Sequence, residues 1–376
     1  MRRNLRNSAL LLLAAVWPVA GGCDILGGLL PDGVNPFEDL APVALDGIAR
    51  RMAYDVAPLG ELDAGTVLQV EVTGQAVAAV LILAEDPAAA EAGRLAGGGP
   101  ANEAFNYRVQ VPGRYYVFAL FDPQAGANQR RATLAVSFGD AAYRPPARQV
   151  VRVVFEDGYL TEPGLVDPES FTAEEVQVLA NLSDLVRAEV LARLRLLFAD
   201  TPIEILDEDD PLPDGPWSEL RYVAERRLAE AGEWFDATVP PLLPDHPECQ
   251  DVVIFGEVLP HGAFLDPGNQ VLDDQAAVYV GSFQGRGTNC RSAAIDSVTS
   301  IVLGLAHTGA HEIGHLVGLY HVPLTDIMNR SPTLAFQREL SFGRGQLLVE
   351  DADQGQVLTT VIQDPAFHLE AIFDTP

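Results

Sequence analysis

The chain has 376 residues, 48% of them hydrophobic and 20% charged, enough to bury sizeable cores in two domains besides a leader. Its 24 basic residues, all arginine, face 53 acidic ones, and a net charge of −29 repels phosphate backbones and argues against nucleic-acid binding; the missing lysine excludes Schiff-base chemistry and a phosphate-loop lysine. Residues 1–147 hold 11 Arg and 15 acids and residues 148–376 hold 13 Arg and 38 acids, so the second half carries −25, a field that favours solubility and attracts cationic peptides or calcium.

Arg2, Arg3 and Arg6 precede an apolar run over residues 9–16, and Ala20-Gly21-Gly22-Cys23 supplies small residues at a cleavage point. This reads as an export signal, too short for the roughly 20 apolar residues that span a membrane. Its end resembles a bacterial lipoprotein signal. The resemblance implies removal of residues 1–22 and lipidation of Cys23, which would be the chain's one membrane contact; soluble secretion is the alternative. Residues 23–44, with Gly27, Gly28, Pro31, Gly33, Pro36 and Pro42, read as a tether.

From 45 to 140 the pattern is short alternating strands. Leu68, Val70 and Val72 alternate with Gln69 and Glu71, and Phe105, Tyr107, Val109 and Val111 alternate with polar residues. Gly113 turns the chain into a strand over 115–121, and Leu134, Val136 and Phe138 mark another, so an all-β sandwich is predicted. The stretches Leu59-Gly60-Glu61-Leu62-Asp63-Ala64-Gly65 and Val111-Pro112-Gly113-Arg114-Tyr115-Tyr116 resemble bacterial pre-peptidase β-sandwich domains, which implies an accessory role. Residues 141–148, with Pro145-Pro146, are the predicted linker.

Residues 149–376 alternate strands and helices and predict an α/β or α+β domain. Strands are expected over 150–155, 203–206, 252–255 and 277–280. Helices are expected from Thr172, in a capping box with Glu175, to about Phe198, and from Ser218 to about Phe235. Cys249 and Cys290, the only cysteines after the leader, are a candidate disulfide closing a loop of about 40 residues, with two free buried thiols as the alternative.

The chemistry concentrates in His311-Glu312-Ile313-Gly314-His315-Leu316-Val317-Gly318-Leu319-Tyr320-His321, followed by Met328. Histidines four apart on a helix lie one turn above each other and can ligate one metal, with Glu312 beside the metal-bound water. Gly318 can take a left-handed conformation, end the helix and bring His321 in as third ligand. The helix is expected to start near Asp296 or Ser297 and to bury Val298, Ile301, Val302, Leu305, Gly309 and Leu316. His307 continues the row at i, i+4, i+8 but lies too far along for the same site, and reads as a core or cleft-wall residue.

This constellation resembles the metzincin clan of zinc metallopeptidases. The resemblance implies zinc held by His311, His315 and His321, a methionine turn at Met328, a sheet with two backing helices, and a C-terminal helix, for which 351–363 is the candidate. It implies that Glu312 deprotonates the zinc-bound water and returns the proton to the leaving amine. The strand at 277–280 would be a cleft edge that pairs with extended substrate. Arg330, where some families of the clan carry a tyrosine, is a candidate for oxyanion or turn support. Calcium is a further candidate cofactor, but Asp207 to Asp210, Asp266, Asp273 and Asp274 follow no calcium-loop spacing.

The expectation is therefore an exported zinc endopeptidase with protein or peptide substrates. The alternatives are a catalytically silent binding or adhesion lipoprotein of the same fold, and a zinc hydrolase of a non-peptide bond.

Overall fold

A computed structural model describes residues 43–45, 54–88, 93–122, 125–126, 128–160, 173–223, 227–228, 237–238, 256–259, 267–280, 298–323, 326–329, 338–349 and 356–374. The leader, Cys23, Cys249, Cys290, Asp266 and Arg330 lie outside them, as does the strand expected over 252–255. The described chain is mostly β-sheet with a few helices, an α+β arrangement. Among the described residues no helix is long and apolar enough to cross a membrane.

The first half forms β1 (Val43–Leu45), β2 (Tyr54–Leu62), β3 (Val67–Thr73), β4 (Val77–Glu85), β5 (Gly93–Gly99), β6 (Ala104–Arg108), β7 (Gly113–Phe121) and β8 (Ala132–Phe138). One sheet has the order β1-β8-β3-β6. Leu68, Val70 and Val72 of β3 pack with Val80, Ile82 and Val117 from the other sheet in a single apolar core, as their alternation predicts. Gly113 does not close a hairpin: β6 pairs with β3, while β7 pairs with β2 and β4, so the chain changes sheets there.

The second half supplies β9 (Gln149–Phe155), α1 (Ala173–Leu197), β10 (Ile203–Asp207), β11 (Ser218–Val223), β12 (Arg227–Leu228), β13 (Ala237–Thr238), β14 (Gly256–Leu259), β15 (Gln275–Tyr279) and α2 (Val298–Leu316). Its five-stranded sheet runs β10-β9-β11-β15-β14; the first four are parallel and β14 is antiparallel. Val151, Val153 and Phe155 of β9, Val190 and Leu194 of α1, and Leu305, Ile313 and Leu316 of α2 share one core.

Two expectations are corrected here. The helix expected from Ser218 opens as strand β11, because Leu220 and Tyr222 are buried between β9 and β15 and the ladder overrides local helix propensity. The strand at 277–280 is no sheet edge either: β15 lies between β11 and β14, and among the described residues β14 pairs only with β15.

The chain then returns to the first half. β16 (Gly345–Val349) and β17 (Gln356–Gln363) extend the second sandwich sheet to β16-β17-β5-β4-β7-β2, with β17 parallel to β5. The helix expected over 351–363 is displaced to α3 (Pro365–Ile372), whose N-terminus is capped by Asp364. The expected linker at 141–148 lies between the two halves in sequence, while β17 joins the sheet of the first half. Phe367 and Ala371 of α3 enter the sandwich core, and Leu369, Ile372 and Phe373 enter the other.

Candidate metal centre

Helix α2 carries His311, Glu312 and His315, and its end is set by Gly318. Gly318 has φ of 80°, its N–H donates to the His315 carbonyl at 2.9 Å, and the Leu319 N–H donates to the Gly314 carbonyl at 2.8 Å. These two bonds are a Schellman stop, which satisfies the last carbonyls and reverses the chain. His321 is thereby returned to the face that carries His311 and His315.

The three Nε2 atoms converge. His311 lies 3.0 Å from His315 and 3.0 Å from His321, and His315 lies 3.1 Å from His321. The Nδ1–H of His311 donates to the Ile327 carbonyl at 2.6 Å, and that of His315 donates to the Leu319 carbonyl at 2.7 Å. Each carbonyl fixes its ring's tautomer, so two Nε2 lone pairs face each other with no proton between them. A cation at the point of convergence would relieve that repulsion, and three converging imidazole nitrogens, two of them on rings anchored through Nδ1, are a donor set that can hold a metal ion. Burial, together with His311 and His321, pushes His315 well below the ordinary histidine range, against the opposing Leu319 bond. The three histidines are the one group among the described residues with ligand atoms placed to hold a metal.

Glu312 is buried on the same helix. Below the helix, Met328 is fully buried in a turn over residues 326–329. That turn is tied on both sides: the Val322 N–H donates to the Met328 carbonyl at 2.9 Å, and Ile327 N–H donates to the Ser341 carbonyl at 3.2 Å. Asp326 accepts from the Gly343 N–H at 3.1 Å. The same turn presents the Ile327 carbonyl to His311, so it orients that ring as well as closing the floor.

The back of the helix is held by Tyr222, whose hydroxyl donates to the Leu305 carbonyl at 3.0 Å. Gly309 leaves room for this contact, because a Cβ there would lie 2.1 Å from the hydroxyl oxygen. Of the stripe expected to be buried, Val302, Leu305, Gly309 and Leu316 are, Ile301 is partly buried, and Val298 is 37% exposed at the helix start. His307 is buried away from the triad and accepts from the Leu340 N–H at 3.2 Å, a core role.

The acidic run from 207 to 210 is paired with two arginines. Arg187 pairs with Asp207, Glu208 and Asp209, and Arg195 pairs with Asp210. Asp274 accepts from Ser218 in a buried network with Gln149 and Asn269.

Sequence reasoning passed over two residues that brace the metal-ligand turn. The side-chain amide of Gln363 donates to the Tyr320 carbonyl at 2.8 Å, and its oxygen accepts from the Tyr320 N–H at 2.7 Å. His368 Nε2–H donates to the Val317 carbonyl at 2.8 Å. A signal for this coupling was present in β4: its unbroken apolar run, Val80 to Ala84, marks a strand buried on both faces. The second face is covered in part by Tyr320, next to the third histidine.

No protein-family model matches the chain, and no curated protein matches it. Among solved structures it is similar to a family two carbohydrate esterase from Cellvibrio japonicus, at 9% identity over 44% of this chain and 52% of that one, with a TM-score of 0.12. The match spans about half of the esterase, and a likeness of this size carries no argument about fold or activity.

Proposed function

We propose that this protein is an exported zinc-dependent endopeptidase of metzincin type, lipid-anchored through Cys23. The observation that carries the reading is the convergence of three histidine Nε2 atoms within 3.1 Å, with Glu312 next to the first of them on the same helix. The Gly318 stop and the turn beneath at Met328 support the clan assignment.

His311, His315 and His321 would hold the zinc. When bound, zinc supplies Lewis acidity and lowers the pKa of a water towards neutrality. Glu312 takes the proton from the water as its oxygen adds to the scissile carbonyl carbon. The same carboxyl then gives that proton to the amine nitrogen as the C–N bond breaks. β14, which among the described residues pairs only with β15, would offer backbone groups to an extended peptide, giving affinity with little sequence information.

The test is a digest of an unstructured peptide mixture by the purified full chain, with metal content measured in parallel. Cleavage abolished by chelation and restored by zinc supports the reading. Ester cleavage without peptide cleavage would favour a hydrolase of non-peptide bonds, and zinc binding without either would favour a silent binding module.

A further inference from the structure

Between the second and third histidines the chain makes a tight reversal, and the C-terminal segment grips it at three backbone atoms. Gln363, the last residue of β17 and fully buried, bonds both the N–H and the C=O of Tyr320, the residue before His321. His368 of α3 bonds the carbonyl of Val317, the residue before Gly318. A side-chain amide that matches both polar groups of one backbone residue replaces a strand partner and fixes that residue's orientation. The Tyr320 side chain is buried as well, in one apolar cluster with Leu81, Leu83, Leu95 and Phe118 of the sandwich and Leu347 and Val361 of β16 and β17.

The clamp is anchored in the first half of the chain. β17 reaches Gln363 through Val361 and Ile362, which pair with Gly93 and Arg94 of β5. A second tie lies close by: Arg344 pairs with the buried Asp86, which follows β4, one residue beyond the Gly343 N–H that bonds Asp326 of the Met328 turn. The sandwich therefore reaches both the segment that delivers His321 and the turn that orients His311.

We infer that Gln363 is a positioning residue for the third metal ligand, and that the N-terminal sandwich is a structural part of the metal centre. This rests on the metal reading of the triad. Gln363 touches neither metal nor substrate; it acts by holding Tyr320, and through it the direction of His321. Groups that orient a ligand from behind are typically worth about 10–100-fold in metal affinity.

The test is cobalt(II) binding to the full chain, followed by its visible absorption spectrum and by competition with a chelator. Gln363→Met preserves side-chain size and removes both bonds; it is expected to weaken cobalt binding about 10–100-fold and to change the spectrum as His321 coordination is lost. In a His321→Ala background the same substitution is expected to change affinity less than threefold, because the ligand through which Gln363 acts is gone. A general destabilisation would weaken binding equally in both backgrounds, and that result overturns the inference, as does wild-type affinity in Gln363→Met. Should Gln363→Met fail to fold, Gln363→Asn, which keeps an amide one methylene short, is read against the same two backgrounds. A wild-type chain that takes up no cobalt overturns the metal reading and this inference with it, whereas normal uptake unaffected by Gln363 overturns the inference alone.

Discussion

Gly314 and Met328 fit against each other beneath the histidines: a Cβ at position 314 would stand 2.5 Å from the Met328 sulfur and 3.3 Å from the Phe342 ring. Glycine inside a helix ordinarily costs about 1 kcal/mol relative to alanine. Here the missing Cβ is the space into which the floor of the site packs.

Gly314→Ala is therefore expected to destabilise despite its better helix propensity. Overpacking a filled core costs about 1–3 kcal/mol, against the roughly 1 kcal/mol gained by the helix. Met328 is fully buried and has little freedom to withdraw. Thermal unfolding of Gly314→Ala, Met328→Ala and the double variant checks this. The double should be more stable than the sum of the two single losses, and strict additivity would refute the contact.

Stability should depend on pH through two buried groups with opposite signs. Burial pushes His368 from 6.5 down to about 4, so its contribution is full above about 6.5 and is lost as pH falls towards 4, on the order of 3 kcal/mol. Burial raises Asp326 from 3.8 to about 6, against the opposing Met328 and Gly343 amides; its contribution is full below about 3.8 and is lost as pH rises through 6. Because the two shifts are of similar size and opposite sign, urea unfolding of the metal-free chain between pH 4 and 7 should show a shallow profile in the wild type, a fall with pH in His368→Gln and a rise with pH in Asp326→Asn. Two variant profiles parallel to the wild type would contradict both assignments.

The motif was legible because its geometry is local: four-residue spacing places His311 and His315, and Gly318 signals its own reversal. The β-sandwich strands were legible from alternation for the same reason. What was not legible depends on distant partners. β11 carries helix-favouring Glu219, Leu220 and Arg221, yet lies between β9 and β15, contacts that no local window reveals. Val357, Thr359, Thr360, Val361 and Ile362 are β-branched and do favour a strand, but its partner β5 lies some 270 residues earlier, and Gln363 gains its meaning only from that pairing.

The tie between Asp86 and Arg344 should behave as a buried charge with one exposed partner. Asp86 is 1% exposed, so Arg344→Met leaves a buried carboxylate short of a partner, at a cost of about 1–3 kcal/mol. Adding Asp86→Asn to that variant should recover part of the loss in chemical denaturation. A double variant weaker than Arg344→Met would show that the pair is not what holds the two segments.

Metal should stabilise the folded chain, because two of the histidines have their tautomers fixed as ligands only by the folded backbone. Zinc at 100 times its dissociation constant is expected to add about 2.7 kcal/mol, seen as a raised Tm that a chelator reverses. His321→Ala should lose most of that gain.

The most direct measurement is peptide cleavage by Glu312→Ala beside the wild type, with zinc content determined on the same samples. The expected result, if Glu312 moves the proton without holding the metal, is one zinc per chain in both proteins and cleavage lowered at least about 100-fold in the variant. Undiminished cleavage by Glu312→Ala with its zinc in place would contradict the assignment.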